Sequence, residues 1–260
     1  MEVVIVADRH EAGGLVADAI AALVERSPAP VLGLATGSTP LPVYRELARR
    51  HASGRLSLAT AQAFLLDEYV GLPADHPQAY RSFIRRELEA HVDFAADAVQ
   101  GPDANATDIP AGCAAYEAAI RAAGGVDLQL LGIGTDGHIG FNEPGSSLAS
   151  RTRIKTLTDQ TRRDNSRFFA SLDEVPRHVV TQGIGTILEA SHLVLLSFGE
   201  AKADATARAV EGPVTAMVPA SALQLHRHAT VVVDEAAAAD LRLADYYRET
   251  WAHKPAWQGL

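Results

Sequence analysis

The sequence predicts an α/β fold in which helices cover both faces of a mainly parallel sheet, a doubly wound sandwich, and three observations carry that prediction. Short β-branched or Leu-rich runs recur along the chain, helical patterns separate them, and the runs are apolar throughout instead of alternating. A strand covered on both faces has no reason to alternate, whereas a one-sided sheet would. With 260 residues, 47% of them hydrophobic, the chain is long enough to bury a substantial core and still lies within the range of one large domain, 1–260. No repeat, low-complexity linker or break in composition argues for a second domain.

In chain order, "VVIVA" (3–7) opens the sheet and a helical pattern follows over 10–25. "VLGLAT" (31–36) precedes a helix over 40–52 that begins near Pro40, where a missing N–H costs little in a first turn. "AFLLD" (63–67) is the third strand, and helices are expected at 78–91 and 110–123 before "LQLLGIG" (128–134). The stretch 146–177 is polar and rich in basic residues, which marks it as a mobile excursion over the site, a lid. A helix over 178–190, "LVLLSFG" (193–199), a helix over 200–211 and "TVVVD" (230–234) complete the pattern.

Charge and cysteine content narrow the function. A net charge of -9 disfavours nucleic acid or an anionic membrane as the main partner, because phosphate surfaces reward clustered Lys and Arg. Cys113 is the only cysteine, so neither an intramolecular disulfide nor a multi-thiolate metal site can form, and it reads as a packing residue. The opening "MEVVIVADRH" lacks the charged-then-apolar pattern of a signal peptide, and no apolar run reaches the roughly 18 residues of a membrane span. A cytoplasmic protein acting on a small molecule is expected.

Open doubly wound sheets bind ligands at the carboxyl ends of their strands, and the unusual residues of this chain fall there. In "LATGSTPLPVYREL", Thr36, Gly37, Ser38 and Thr39 lie between a strand and a helix, where backbone N–H groups, hydroxyls and a glycine can cradle a phosphate; an ordinary N-cap uses the same residues. No Gly-Lys-Ser/Thr follows, so this is not a Walker loop. "LLDEYVGLP" places Asp67 and Glu68 at the end of an apolar strand, where a raised pKa would suit a general base; a helix cap or surface pair is the alternative. In "DLQLLGIGTDGHIGFNEPGSS", Gly132, Gly134 and Gly137 match the spacing of a dinucleotide turn. That turn requires a helix starting at its glycines, and Gly140, Pro144 and Gly145 make one improbable here. What remains is chemistry: Asp136, His138 and Glu143 supply a carboxylate–imidazole–carboxylate relay, while one histidine and two acids over eight residues lack a strong metal spacing. Arg167 in "NSRFF" and Lys202 in "FGEAKA" can complete an anion site or be solvated surface charges.

These strings, with "HPQAYRSF" and "SALQLHRHATVVVDE", closely resemble the glucosamine-6-phosphate deaminase family from about Val31 to Glu235. The resemblance implies a three-layer, modified Rossmann-like fold and conversion of glucosamine 6-phosphate and water into fructose 6-phosphate and ammonia, a step of N-acetylglucosamine catabolism. It implies that Asp67 is the enolisation base moving a proton between C2 and C1, that His138 assists ring opening, and that Asp136 and Glu143 hold and tune His138. Thr36 to Thr39, Arg167 and Lys202 would grip the substrate phosphate, with no metal and no redox or organic cofactor. Some members are hexamers activated by N-acetylglucosamine 6-phosphate; Ser146, Arg153, Lys155 and Thr156 match their effector-phosphate positions, Tyr246 or Tyr247 is a candidate effector tyrosine, and a homo-oligomer is expected.

Two rivals stand beside this reading. 6-Phosphogluconolactonase shares a G-x-G-x-D-G-H string but differs from "IGFNEP" after the histidine and has no equivalent of "DEYVGL". A non-catalytic sugar-phosphate sensor would be expected to carry a DNA-binding module, and this sequence starts at its first strand with its acid–base residues intact.

Overall fold

Burial on both faces is visible strand by strand in the computed structural model, which describes residues 1–166, 169–255 and 257–260. The chain runs through β1 (Glu2–Val6), α1 (Arg9–Arg26), β2 (Val31–Leu34), α2 (Leu41–Ala52), β3 (Gln62–Leu65), β4 (Asp67–Tyr69), α3 (Tyr80–Glu87), β5 (Val99–Gln100) and α4 (Ile109–Ala122). It continues through β6 (Leu128–Gly132), β7 (Arg153–Thr156), α5 (Asp159–Ser166), β8 (His178–Thr181), α6 (Ile184–Ile187), β9 (His192–Ser197), α7 (Ala203–Val210), β10 (Ala229–Asp234) and α8 (Ala244–Ala252). Every residue of β2 and of β9 is buried, as continuous apolar runs require. The helices start where local chemistry lets them. Asp8 caps α1 by accepting from the His10 and Glu11 amides at 2.7 and 2.9 Å, and Asp108 caps α4 by accepting from the Ala111 amide at 3.0 Å.

Each of the six predicted runs contributes a strand to one seven-stranded sheet, ordered β1-β10-β9-β6-β2-β3-β5 and parallel throughout. From β2 the chain builds outward through β3 to β5, then returns to the other side of β2 with β6 and proceeds through β9 to β10. The order therefore reverses between β2 and β6, and the loops leaving their carboxyl ends diverge to form the crevice of a topological switch point.

A second sheet was not predicted. It is three-stranded and antiparallel, ordered β4-β8-β7, with Asp67 opposite Thr181 and Arg153 opposite the same Thr181 on the other side. Its existence corrects two expectations. The run "AFLLD" is not one strand: the chain leaves the large sheet after Leu65, crosses at Leu66 and enters the small sheet at Asp67. The helix expected over 178–190 is β8 followed by the short α6, because neighbours on both sides give the β-branched "HVVT" a ladder that local spacing does not reveal. The excursion over 146–177 contributes β7 to this sheet and then α5. Among the described residues no helix is long and apolar enough to cross a membrane.

Candidate active site

The loop after β6 is built as a tight turn. The Gly134 amide donates to the His138 carbonyl at 2.9 Å and the Gly137 amide to the Gly134 carbonyl at 3.0 Å, with Gly137 at a φ of +92°. A Cβ at Gly134 would fall 2.3 Å from the His138 ring, so glycine is what lets the imidazole lie against the backbone. No helix follows until α5, so nothing here can meet a pyrophosphate as a dinucleotide turn does.

The same turn gathers the relay. Asp136 Oδ1 lies 2.7 Å from His138 Nδ1 and accepts from the His138 amide at 3.1 Å, and Glu143 Oε2 lies 3.8 Å from the same ring nitrogen. The Nδ1 contact is off the line of a ring N–H, which makes it an ion-pair contact and not an aligned hydrogen bond. The two carboxyls are driven apart electrostatically. For Asp136, burial opposes ionisation, but the imidazole and the His138 amide outweigh it and hold the carboxyl well below the usual range. For Glu143, burial and the neighbouring Asp136 prevail over the Thr161 hydroxyl and His138, and its pKa is raised. A charged carboxylate and a more readily protonated one therefore share an imidazole, an arrangement suited to acid–base work. Their donor atoms lie within 4.8 Å of one another.

Asp67 approaches from the second sheet. It is 6% exposed, and burial first, then the charge of Glu68, raises its pKa well above that of an ordinary aspartate. Gly140 marks the place where it meets the relay loop: a methyl group there would sit 2.9 Å from Thr181 Oγ1, 3.6 Å from Asn142 Nδ2 and 3.7 Å from Asp67 Oδ2. Gly140 also holds a φ of +55°, so the close approach and the backbone both favour glycine. Glu68, one residue on, does something different. Its carboxylate accepts from the Tyr80 and Arg81 amides at 2.9 Å each and so caps α3. Tyr80 in turn lies nearly parallel to Phe141, with ring centroids 6.1 Å apart, and donates to the Tyr69 hydroxyl at 3.3 Å, forming an aromatic wall beside Asp67.

Thr36, Gly37, Ser38 and Thr39 leave the carboxyl end of β2 and lead into α2, with Ser38 exposed and the other three half-buried. The N-cap position of α2 is Pro40, and no side chain caps the helix, so these residues do not serve as its cap. Gly132, at the end of β6, would carry a Cβ 3.7 Å from the Thr39 side chain, which places this segment beside the strand end from which the relay loop departs. Lys202 ends a single 3-10 turn after β9, the neighbour of β6, and is half-buried. Arg167 lies outside the described residues. Of the suggested effector positions, Ser146 is buried behind Glu143 and donates its amide to the Glu143 carbonyl at 3.0 Å. Strand alternation puts Arg153 and Lys155 on one face of β7 and Thr156, exposed, on the other. Tyr246 is exposed and Tyr247 half-buried on α8.

The sequence did not point to Gly140, Thr181 or Thr161, although all three touch the acid–base residues. Gly140 lay in view as a helix breaker; Thr181 and Thr161 sit in ordinary polar stretches whose proximity only the second sheet and α5 create.

A family model described as glucosamine-6-phosphate isomerases/6-phosphogluconolactonase matches residues 9–233. Proteins of Beutenbergia cavernae and Streptomyces coelicolor, both called glucosamine-6-phosphate deaminase, are 66% and 64% identical over 261 residues, each alignment covering all of both chains. The solved structure of a monomeric glucosamine-6-phosphate deaminase superposes with a TM-score of 0.90 at 42% identity, over 92% of this chain and all of that one. A 6-phosphogluconolactonase from Trypanosoma cruzi shares the fold, with a TM-score of 0.74 at 21% identity over 93% of this chain and 97% of its own. With its model matched across most of the chain and relatives this similar along its full length, the chain belongs to the glucosamine-6-phosphate isomerase/6-phosphogluconolactonase family.

Proposed function

We propose that the chain converts glucosamine 6-phosphate and water into fructose 6-phosphate and ammonia, in the breakdown of amino sugars. The observation that carries this reading is the convergence at the β2/β6 crevice: an uncapped helix start with hydroxyls on one side, a buried carboxyl on another, and a polarised imidazole between two carboxyls on the third. A sugar phosphate needs each of these. The remote phosphate supplies binding energy that positions the reacting carbons, with Thr36 to Thr39, Lys202 and Arg167 as its proposed partners. His138 passes a proton to open the pyranose ring, Asp136 keeps the imidazole oriented, and Glu143 adjusts its charge. Asp67 then takes the C2 proton of the open chain and returns it at C1; water adds at C2 and ammonia leaves. A base of raised pKa suits this transfer near neutral pH. No metal or organic cofactor enters the scheme.

The segment 146–177 is the proposed cover of the site, and a cytoplasmic homo-oligomer is the proposed working form. Sedimentation tests the assembly: a monomer at micromolar concentration would set this chain beside the monomeric relative and against the hexamers. Rate curves with and without N-acetylglucosamine 6-phosphate test regulation, and a hyperbolic curve unmoved by the effector rejects it for Ser146, Arg153, Lys155 and Thr156. The decisive experiment for the reaction is a coupled ammonia assay with purified protein and no added metal or nucleotide. Turnover is expected; its absence, with hydrolysis of 6-phosphogluconolactone instead, would overturn the proposal.

A further inference from the structure

We propose that Thr161 is a positioning residue, whose hydroxyl fixes Glu143 in place only while α5 is seated against the relay loop. Thr161 is buried, 8% exposed, and its Oγ1 donates to Glu143 Oε1 at 2.5 Å. Its single proton is thereby committed, and the chemistry upstream agrees. Thr158 Oγ1 lies 2.9 Å from Thr161 Oγ1 and must be the donor in that pair, while it accepts from the Thr161 amide at 3.1 Å. The start of the helix thus runs as a one-way chain from Thr158 through Thr161 to Glu143. Any shift of α5 breaks it at its last link, because Glu143 belongs to a different segment.

The sequence of α5 offers no apolar face to bury. It spans only eight residues, "DQTRRDNS", and no helix this short is stable alone. Its buried Arg162 donates to the carbonyls of Leu172 at 2.7 Å and Val175 at 3.1 and 3.2 Å, fastening the helix to the end of its own excursion. Beyond the helix, Phe169 packs edge-on against Tyr69, with centroids 5.7 Å apart, and stacks on His76 at 6.1 Å. Seating of α5 is therefore reported at Glu143, while Phe169 lies against Tyr69, two residues from Asp67.

This proposal rests on the deaminase reading for its kinetic arm, and a second arm is free of it. The substitutions Thr161→Val, which keeps the shape and removes the hydroxyl, and Thr161→Ser, which keeps the hydroxyl, are compared with wild type by steady-state kinetics on glucosamine 6-phosphate. Trypsin cleavage after Arg162 and Arg163, followed without substrate, reads the seating of α5. Thr161→Val is expected to lower kcat about tenfold, the size of a lost hydrogen bond to a charged group, and to be cleaved faster; Thr161→Ser is expected to restore both. Thr158→Val, which leaves Thr161 in place, is expected to move both readouts the same way by a smaller factor, and serves if Thr161→Val folds poorly. Wild-type kcat in Thr161→Val, or equal losses in the Val and Ser variants, overturns the proposal. Should wild type release no ammonia, the deaminase reading fails, and cleavage of Thr161→Val at the wild-type rate then overturns the positioning role separately.

Discussion

The two sheets divide the work of the molecule. The seven-stranded sheet is apolar through its thickness: β9 is buried end to end, and Leu193, Leu195, Val231, Val232 and Val233 are each 1% exposed or less. The three-stranded sheet has polar and charged residues where the other has aliphatic ones, Asp67 opposite Thr181 on one side and Arg153 and Lys155 on the other. One carries the hydrophobic driving force and the other carries groups whose burial costs free energy. Asp67 sits where they join, one residue after the chain crosses from the first sheet to the second. The comparison teaches that the proposed base is held by a scaffold stable enough to tolerate a buried carboxyl.

Substitution at the junction gives the largest expected effect. Asp67→Asn should lower turnover by about a thousandfold, the scale of general-base catalysis, while raising the melting temperature, because it removes a carboxyl whose ionisation burial and Glu68 disfavour. Loss of activity together with loss of stability would mean that Asp67 is structural. In the large sheet the pattern should invert. Leu195→Ala is expected to cost about 3 kcal/mol by denaturant unfolding yet leave the turnover of folded molecules near wild type; a selective fall in kcat would blur the division.

Gly140 tests the junction from the other side. Gly140→Ala places a methyl group 2.9 Å from Thr181 Oγ1 at a φ of +55°, for an expected cost of about 1–2 kcal/mol and a fall in kcat larger than the rise in KM. An unchanged kcat would show that the approach of Asp67 to the loop is not needed.

The smallest effect lies at the opposite, amino-terminal edge of the large sheet, where the His192 and His228 rings stack 3.6 Å apart. Burial, with His228 and His226 adding to it, pushes the His192 pKa down to about 3. The unfolded imidazole takes its proton near 6.5, so this contribution is complete above that pH and is lost as pH falls from 6.5 toward 3. Stability should drop by about 1 kcal/mol between pH 7 and 5.5. His192→Gln should flatten that limb; an unchanged limb would assign it to other groups.

The large sheet was legible because its physics is local: a strand buried on both faces must be apolar along its length, and six such runs were readable in order. The relay was legible for a similar reason, since Asp136, His138 and Glu143 lie on one turn whose glycines and proline forbid a helix. β4, β7 and β8 were not. Each has three or four residues and pairs with a segment far away in sequence, so "HVVT" reads as the start of a helix until its partners are known. Local pattern alone likewise did not separate Glu68 from Asp67, which only the family resemblance singled out, whereas in the structure α3 starts on the Glu68 carboxylate.

By itself the sequence determined the fold class, the residues at the carboxyl ends of the strands and the family they resemble, because strand burial, turn chemistry and motif spacing act over a few neighbouring positions. The tertiary structure alone decided which of two adjacent carboxylates is buried at the crevice, that Gly140 and Thr181 border it, and that Thr161 reaches Glu143. Those contacts are set by strand crossing and by the seating of a short helix, long-range events that no local pattern encodes.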